Sequence, residues 1–218
     1  MKLKHVIGVV LAVLSLDIFS KVYIKTHFYH GEEINVIGNW FKLHFIENEG
    51  MAFGMTFGEH YGKLFLTLFR LIAVAWGFYF IQNTLIKQRY SNGLIFCGAL
   101  ILAGALGNSV DSVFFGKIFT ESSWYHVARF VPWGQGYGEL FHGKVVDMLY
   151  FPVLKGTYPS WFPVWGGESF EFFRPVFNIA DTAISTGVIS IFVFQKRLLH
   201  NHIEQKVIPV VEQTTEQA

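Results

Sequence analysis

The sequence predicts an all-α membrane protein: a four-transmembrane-helix bundle, N-in/C-in, with a small extracytoplasmic β-sheet and long outer loop insertions. Three observations predict it. Hydrophobic residues make up 52% of the 218, and charged residues only 15%, where a soluble domain carries about a quarter. Four apolar stretches approach the roughly 20 residues that a span requires. The basic residues flanking those stretches fall on one side of a four-span frame. The net charge of +1 leaves no electrostatic footprint for a nucleic acid. The single cysteine, Cys97, excludes an internal disulfide framework and any multi-cysteine metal cluster.

Span one covers about 5–24, behind Lys2 and Lys4. It lacks a small-x-small cleavage site and runs straight into Asp17 and Lys21, so it reads as a retained helix rather than a removed signal peptide. Span two covers about 64–81, span three about 93–110 and span four about 176–194. Lys2 and Lys4, Lys87 and Arg89, and Lys196 and Arg197 then share the inner side, which puts both termini there. In the first outer loop, FKLHF at 41–45 alternates apolar and polar residues and Ile34 and Val36 hint at the same, predicting a small sheet. Segment 121–131, with Trp124 and Tyr125, predicts a short interfacial helix. Pro159, Trp161, Pro163 and Trp165 mark an irregular loop. One domain spans 1–200, and the polar tail at 201–218 is expected to be disordered.

Ionisable residues inside spans are costly and default to function. At about 1.5 Å per residue, Asp17 lies roughly 18 Å along span one, in the outer half of a core about 30 Å thick. Lys21 follows one turn later on the same face. Span three brings Asn108 and Asp111 to its outer end; span four starts outside with Asn178 and Asp181; Arg70 is in the outer half of span two. Polar groups from all four spans therefore share one depth. A polar network that merely pins the bundle is the alternative, above all for Asp17 with Lys21. Arg70 is open between a buried pair and headgroup snorkelling. Each N-x-x-D pair also suits a helix cap. Asp147, in the apolar run VVDMLYF, reads by position as a loop or cap residue.

Cys97 lies away from this level and reads as a core residue. No H-E-x-x-H, G-x-S-x-G, P-loop or G-x-G-x-x-G occurs. Carboxylates remain, and two of them suffice for hydrolysis: one ionised to take a proton from water, its protonated neighbour to polarise a carbonyl. No cofactor or metal is called for.

Five blocks carry a resemblance to the lipoprotein signal peptidase (signal peptidase II) family of bacterial membrane aspartyl proteases. They are Asp17-Ile18-Phe19-Ser20-Lys21, Asn48-Glu49-Gly50-Met51-Ala52-Phe53-Gly54, Gly107-Asn108-Ser109-Val110-Asp111, Val145-Val146-Asp147 and Phe177-Asn178-Ile179-Ala180-Asp181. They stand in the family's order on the four-span frame and cover about 5–197. The resemblance implies a catalytic pair at Asp147 and Asp181, against the positional reading of Asp147. It implies that Asn48, Gly54, Asn108, Asp111 and Asn178 position the substrate and support the pair, and that Asp17 and Lys21 belong to a supporting network. It further implies a β-cradle in the first outer loop and no metal. The implied substrate is a diacylglyceryl prolipoprotein, cut on the amino side of its lipidated cysteine at the outer face of the bacterial inner membrane. Membrane lipid is the other partner, and a monomer is expected.

Two departures stand out. The G-N-x-x-D block is commonly followed by Arg in the family, and here by Ser112; Arg129 and Arg174 are candidates to replace it. The outer insertions at about 117–142 and 152–172 are longer than in many members, suiting a lid or a partner-binding surface. The alternative function is a small proton- or ion-coupled transporter using Asp17, Asp111 and Asp181 as a relay, although a transporter favours the midplane and broken helices. A non-catalytic scaffolding bundle is the third reading.

Overall fold

A computed structural model describes residues 1–49, 59–152, 154–172 and 175–199. Gly54 with the rest of its loop, Arg174 and the 201–218 tail lie outside the described residues.

Helix α1 runs Leu3–His27, with Lys25 and His27 in its last turn, where cations suit the helix dipole. Two strands follow, β1 Glu33–Ile37 and β2 Phe41–Asn48, as the alternation predicts. Helix α2 is Glu59–Phe80 and continues through a wider π-turn over Ile81–Ile86. Helix α3, Asn92–Val110, starts where the Ser91 hydroxyl accepts the Leu94 N–H at 3.2 Å, a serine N-cap. It leaves the bundle through a π-turn at Asp111–Phe115 and a last turn, α4, at Gly116–Ile118. Among the described residues, three helical stretches, Leu3–His27, Tyr61–Ile86 and Asn92–Ile118, are long and apolar enough to cross a membrane. The third is central, with 56% of its apolar window buried against 17% and 11% for the others.

The remaining elements are β3 Val145–Tyr150, β4 Leu154–Thr157, β5 Ser169–Phe172, β6 Val176–Phe177, helix α5 Ile179–Val193 and the short α6 Gln195–Leu198. The helix expected over about 176–194 is therefore shorter than the sequence predicts. Val176 and Phe177 pair with Tyr150 and Leu149, so the backbone that was expected to begin a helix is a strand. The 15 residues of α5 reach only about 22 Å.

The main sheet is antiparallel in the order β1-β2-β3-β6. β3 is central, and apart from the half-buried Leu149 it is buried. A strand covered on both faces reads as a continuous apolar run rather than an alternation, which is the character of VVDMLYF. β4 and β5 form a separate hairpin, tipped by stacked Tyr158, Phe162 and Trp165.

The interfacial helix expected over 121–131 is absent, and this is a correction. Thr120 and Arg129 pair instead, with the Thr120 N–H donating to the Arg129 carbonyl at 2.9 Å and the Arg129 N–H to the Thr120 hydroxyl at 2.9 Å. The Ser123 hydroxyl accepts the Tyr125 and His126 N–H groups. Serine and threonine hydroxyls compete in this way with helical hydrogen bonds. The 117–142 insertion folds back on the end of α3: Gly138 N–H meets Gly116 O at 2.9 Å and Gly143 N–H meets Ser112 O at 2.8 Å. Lys25 of α1 fastens it, ion-paired with Glu47, bonded to Ser122 and facing the Tyr137 ring at 5.0 Å.

Two apolar clusters bracket the polar level. One joins Val6, Ile81, Leu85, Leu94, Ile95, Ala99 and Leu102 among the helices; the other joins Ile24, Phe28, Phe45, Phe115, Phe119, Val146 and Met148 under the sheet. Leu16, Phe19, Phe65, Ile72 and Phe192 are exposed on the helices, as lipid-facing side chains are. Between α3 and α5 the backbones approach closely. A Cβ on Gly104 would run into the Ala180 carbonyl, and one on Gly107 would come within 2.6 Å of Asp17 Oδ2. Small residues permit such contact between membrane helices. Gly104→Ala is expected to cost about 1–3 kcal/mol by overpacking, read as a lower unfolding temperature in detergent micelles.

Candidate active site

The polar residues of the shared level are delivered by several different elements. Asn178 ends β6 and caps α5, its Oδ1 accepting the Asp181 N–H at 2.9 Å while its own N–H donates to Asp181 Oδ2 at 3.3 Å. This reciprocal capping box satisfies two helix-end donors and fixes the Asp181 carboxylate over the positive end of α5. Asp147 enters from β3. The pairing of Ile46 with Asp147 and of Asn48 with Val145 makes Asn48 a diagonal, same-face neighbour of Asp147, and the Asn48 amide bonds Asp147 Oδ2. The Asn178 amide reaches Asp147 Oδ1 at 2.8 Å. Asn178 thus touches both carboxylates and holds them in one frame.

Asn108 extends that frame, donating to Asp181 Oδ1 at 2.8 Å and accepting from Asn178 Nδ2 at 3.1 Å and Lys21 Nζ at 2.8 Å. Lys21 Nζ also lies 2.7 Å from Asp17 Oδ2 and 2.7 Å from Asp111 Oδ2. Asp17 Oδ1 accepts the Ala180 N–H at 2.8 Å, and Asp111 Oδ2 the Val146 N–H at 3.5 Å. Asp111 Oδ1 is buried and makes no hydrogen bond among the described residues. Asp17, Lys21, Asp111, Asp147 and Asn178 are all 2% exposed or less. One connected network therefore joins α1, α3, α5, β2 and β3.

Burial first, then the nearby Asp181 charge, push the Asp147 carboxyl up from 3.8 to about 7, with Lys21 and the Asn178 hydrogen bond pulling the other way. A carboxyl that holds its proton near neutrality therefore stands beside a second carboxyl group, that of Asp181. Beside it, a groove of about 690 Å3 runs from Pro175 and Phe177 past Asp181 along Thr182, Ser185, Thr186, Ile189 and Ser190. It offers a partly polar path down α5 to the carboxylates.

Eight of the nine site residues expected from the sequence meet here: Asp147, Asp181, Asn48, Asn108, Asp111, Asn178, Asp17 and Lys21. Gly54 lies outside the described residues. Cys97 is buried in α3, as a core residue is. Among the described residues no three His, Cys, Asp or Glu side chains are grouped as metal ligands. Two contributors are not legible in the sequence, the Val146 and Ala180 N–H groups, because backbone donors carry no letter; Ser112 stands out there only as a departure, with no role. The Ser112 hydroxyl donates to the Asn108 carbonyl at 2.9 Å and accepts from Arg70 Nη1 at 3.5 Å. Arg129 is exposed in its loop.

The comparisons with known proteins agree. The family model described as signal peptidase (SPase) II matches residues 9–196. A lipoprotein signal peptidase of Porphyromonas gingivalis is 42% identical over 214 residues, covering 98% of this chain and 92% of that protein. One of Amoebophilus asiaticus is 37% identical over 192 residues, covering 87% and 76%. Two solved structures described as bacterial membrane enzymes share the fold at TM-score 0.55 and 23% identity, covering 89% of this chain and 89% and 94% of theirs. The chain belongs to the signal peptidase II family.

Proposed function

We propose that this protein is an intramembrane aspartyl endopeptidase that removes the signal peptide from diacylglyceryl prolipoproteins, with Asp147 and Asp181 as its catalytic pair. The observation that carries the reading is the common frame: two carboxylates from different elements, a central strand and a helix start, tied through one asparagine. The family match favours it over the transporter reading. The frame is read as four spans with both termini inside, α5 being the fourth. The network then lies at the outer membrane surface of a bacterial inner-membrane protein, where water and the scissile bond meet, and the enzyme acts as a monomer among lipids.

The pair works as follows. The ionised carboxylate takes a proton from water as the water oxygen bonds to the scissile carbonyl carbon. The protonated carboxyl, Asp147 by its environment, gives its proton to the carbonyl oxygen. The resulting tetrahedral diol then breaks its C–N bond, a proton passing to the leaving α-amine of the lipidated cysteine. Asn48, Asn108 and Asn178 orient the carboxyls, so no reorganisation is needed as charge develops. The signal-peptide helix and acyl chains, bound in the lipid phase, supply binding energy remote from the bond being cut. Cleavage of a purified diacylglyceryl prolipoprotein by wild type and by the two Asp→Asn variants tests the assignment.

A pH dependence of stability follows. Unfolded, Asp147 loses its proton near 4; folded, it keeps it to about 7. The native state therefore binds more protons across that window, and this group's contribution to stability falls as pH rises from about 4 to 7. Asp147→Asn, which cannot ionise, is expected to raise the unfolding temperature at pH 8 and to change it little at pH 4. An equal shift at both pH values contradicts the burial account.

A further inference from the structure

Arg70 sits in an apolar stretch of α2 (LTLFRLIAVAW), where a charge is expensive unless it has work to do. It is half-buried. Its guanidinium docks on the Ser112 hydroxyl, whose proton is committed to the Asn108 carbonyl, so the serine oxygen faces the arginine as an acceptor. Among the described residues, the carboxylates of Asp181, Asp111 and Asp147 lie near enough to act on its charge. The network gathers four carboxylates around one ammonium, and Lys21 is already shared between Asp17 and Asp111. Even with one proton shared by Asp147 and Asp181, negative charge exceeds positive. Position 112, where the resemblance leads one to expect arginine, holds serine, and a guanidinium arrives beside it from another helix.

We propose that Arg70 is a positioning residue of the active site: held against Ser112, its guanidinium keeps one member of the Asp147–Asp181 pair ionised. This rests on the reading of that pair as the catalytic dyad. A guanidinium is suited to the task because it stays charged at any working pH. An opposite charge nearby favours an ionised carboxylate. Without it, both carboxyls hold their protons to higher pH, and the window in which the pair carries a single proton moves up. The other charged groups facing the pair are Asp17 and Lys21 from α1 and Asp111 from the π-turn after α3, with the Lys25–Glu47 pair beyond them; all of them stay in place when position 70 is changed.

The test is the pH profile of kcat/KM on a diacylglyceryl prolipopeptide in micelles. Arg70→Gln is expected to move both limbs to higher pH by about half a unit to one unit and to slow cleavage at the wild-type optimum. Arg70→Lys, which keeps the charge, is expected to leave the limbs where they are in wild type. Limbs of Arg70→Gln that coincide with wild type overturn the proposal, whatever happens to the rate. Equal displacement in the Lys and Gln variants overturns it too, since charge would then not be the cause. Asp181→Asn run alongside separates the two readings. Cleavage retained there sinks the dyad, whereas unmoved Arg70→Gln limbs in an enzyme silenced by Asp181→Asn sink only the role of Arg70.

Discussion

Asparagine at position 147 or 181 is expected to reduce cleavage of a diacylglyceryl prolipoprotein by about 100- to 10,000-fold or more, the range that a positioned acid or base contributes. The substitution is close to isosteric and leaves the surrounding elements in place. At Asp181 the two donors reach different oxygens, so an asparagine oxygen turned to the Asn178 N–H keeps the α5 capping box and gives up the bond from the Asn108 amide. At Asp147, it can still accept from Asn178. What is lost is the exchangeable proton on one side of the water. Because the two carboxyls act as a unit, the double variant should be little worse than either single one. The measurement is signal-peptide release by purified, folded protein. Full activity in either variant removes that residue from the chemistry.

Lys21→Met is expected to be the most damaging single change to the fold, at about 3–5 kcal/mol, the cost of removing one partner from a buried ion pair. Lys21 is fully buried and is shared by two buried carboxylates and the Asn108 amide oxygen. Methionine keeps the length of the side chain and removes the charge. Asp17 retains the Ala180 N–H and Asp111 the Val146 N–H, too little to compensate either charge in a dry site. Thermal unfolding in detergent reads the loss. Adding Asp111→Asn to Lys21→Met should recover part of it by deleting one orphaned charge. No recovery would place the damage in packing rather than electrostatics. Since Asn108 joins Lys21 to Asp181, the Lys21→Met enzyme should also cleave poorly while it remains folded.

Much of this architecture was legible in the sequence. Helices α1, α2 and α3 follow from apolar runs of bilayer length, because a backbone in lipid must satisfy its hydrogen bonds internally and the helix does so within one segment. Strands β1 and β2 follow from a two-residue alternation. The shared depth of Asp17, Lys21, Asn108, Asp111, Asn178 and Asp181 follows from counting residues along antiparallel spans. The five blocks singled out the residues that the structure brings into one network. The segment 121–131, with Trp124 and Tyr125, reads as a short interfacial helix, but the Ser123 and Thr120 hydroxyls capture backbone N–H groups and decide otherwise.

What only the tertiary structure decided concerns partners that are distant in sequence. Asp147 reads alone as a charge in an apolar run; as the middle of a strand bonded to β2 and β6, it is held between Asn48 and Asn178. Val176 and Phe177 read as the start of a helix, but pairing with Leu149 and Tyr150 makes them a strand and converts Asn178 into the cap that carries Asp181. Arg70 stays open between a buried pair and headgroup snorkelling until α2 packs beside α3 and its guanidinium meets Ser112. The physical reason is one of range. Local periodicity and span length are properties of neighbouring residues and are written in their order. Strand pairing, helix contact and the electrostatics of a buried cluster depend on groups separated by tens of residues, and only the folded chain brings those together.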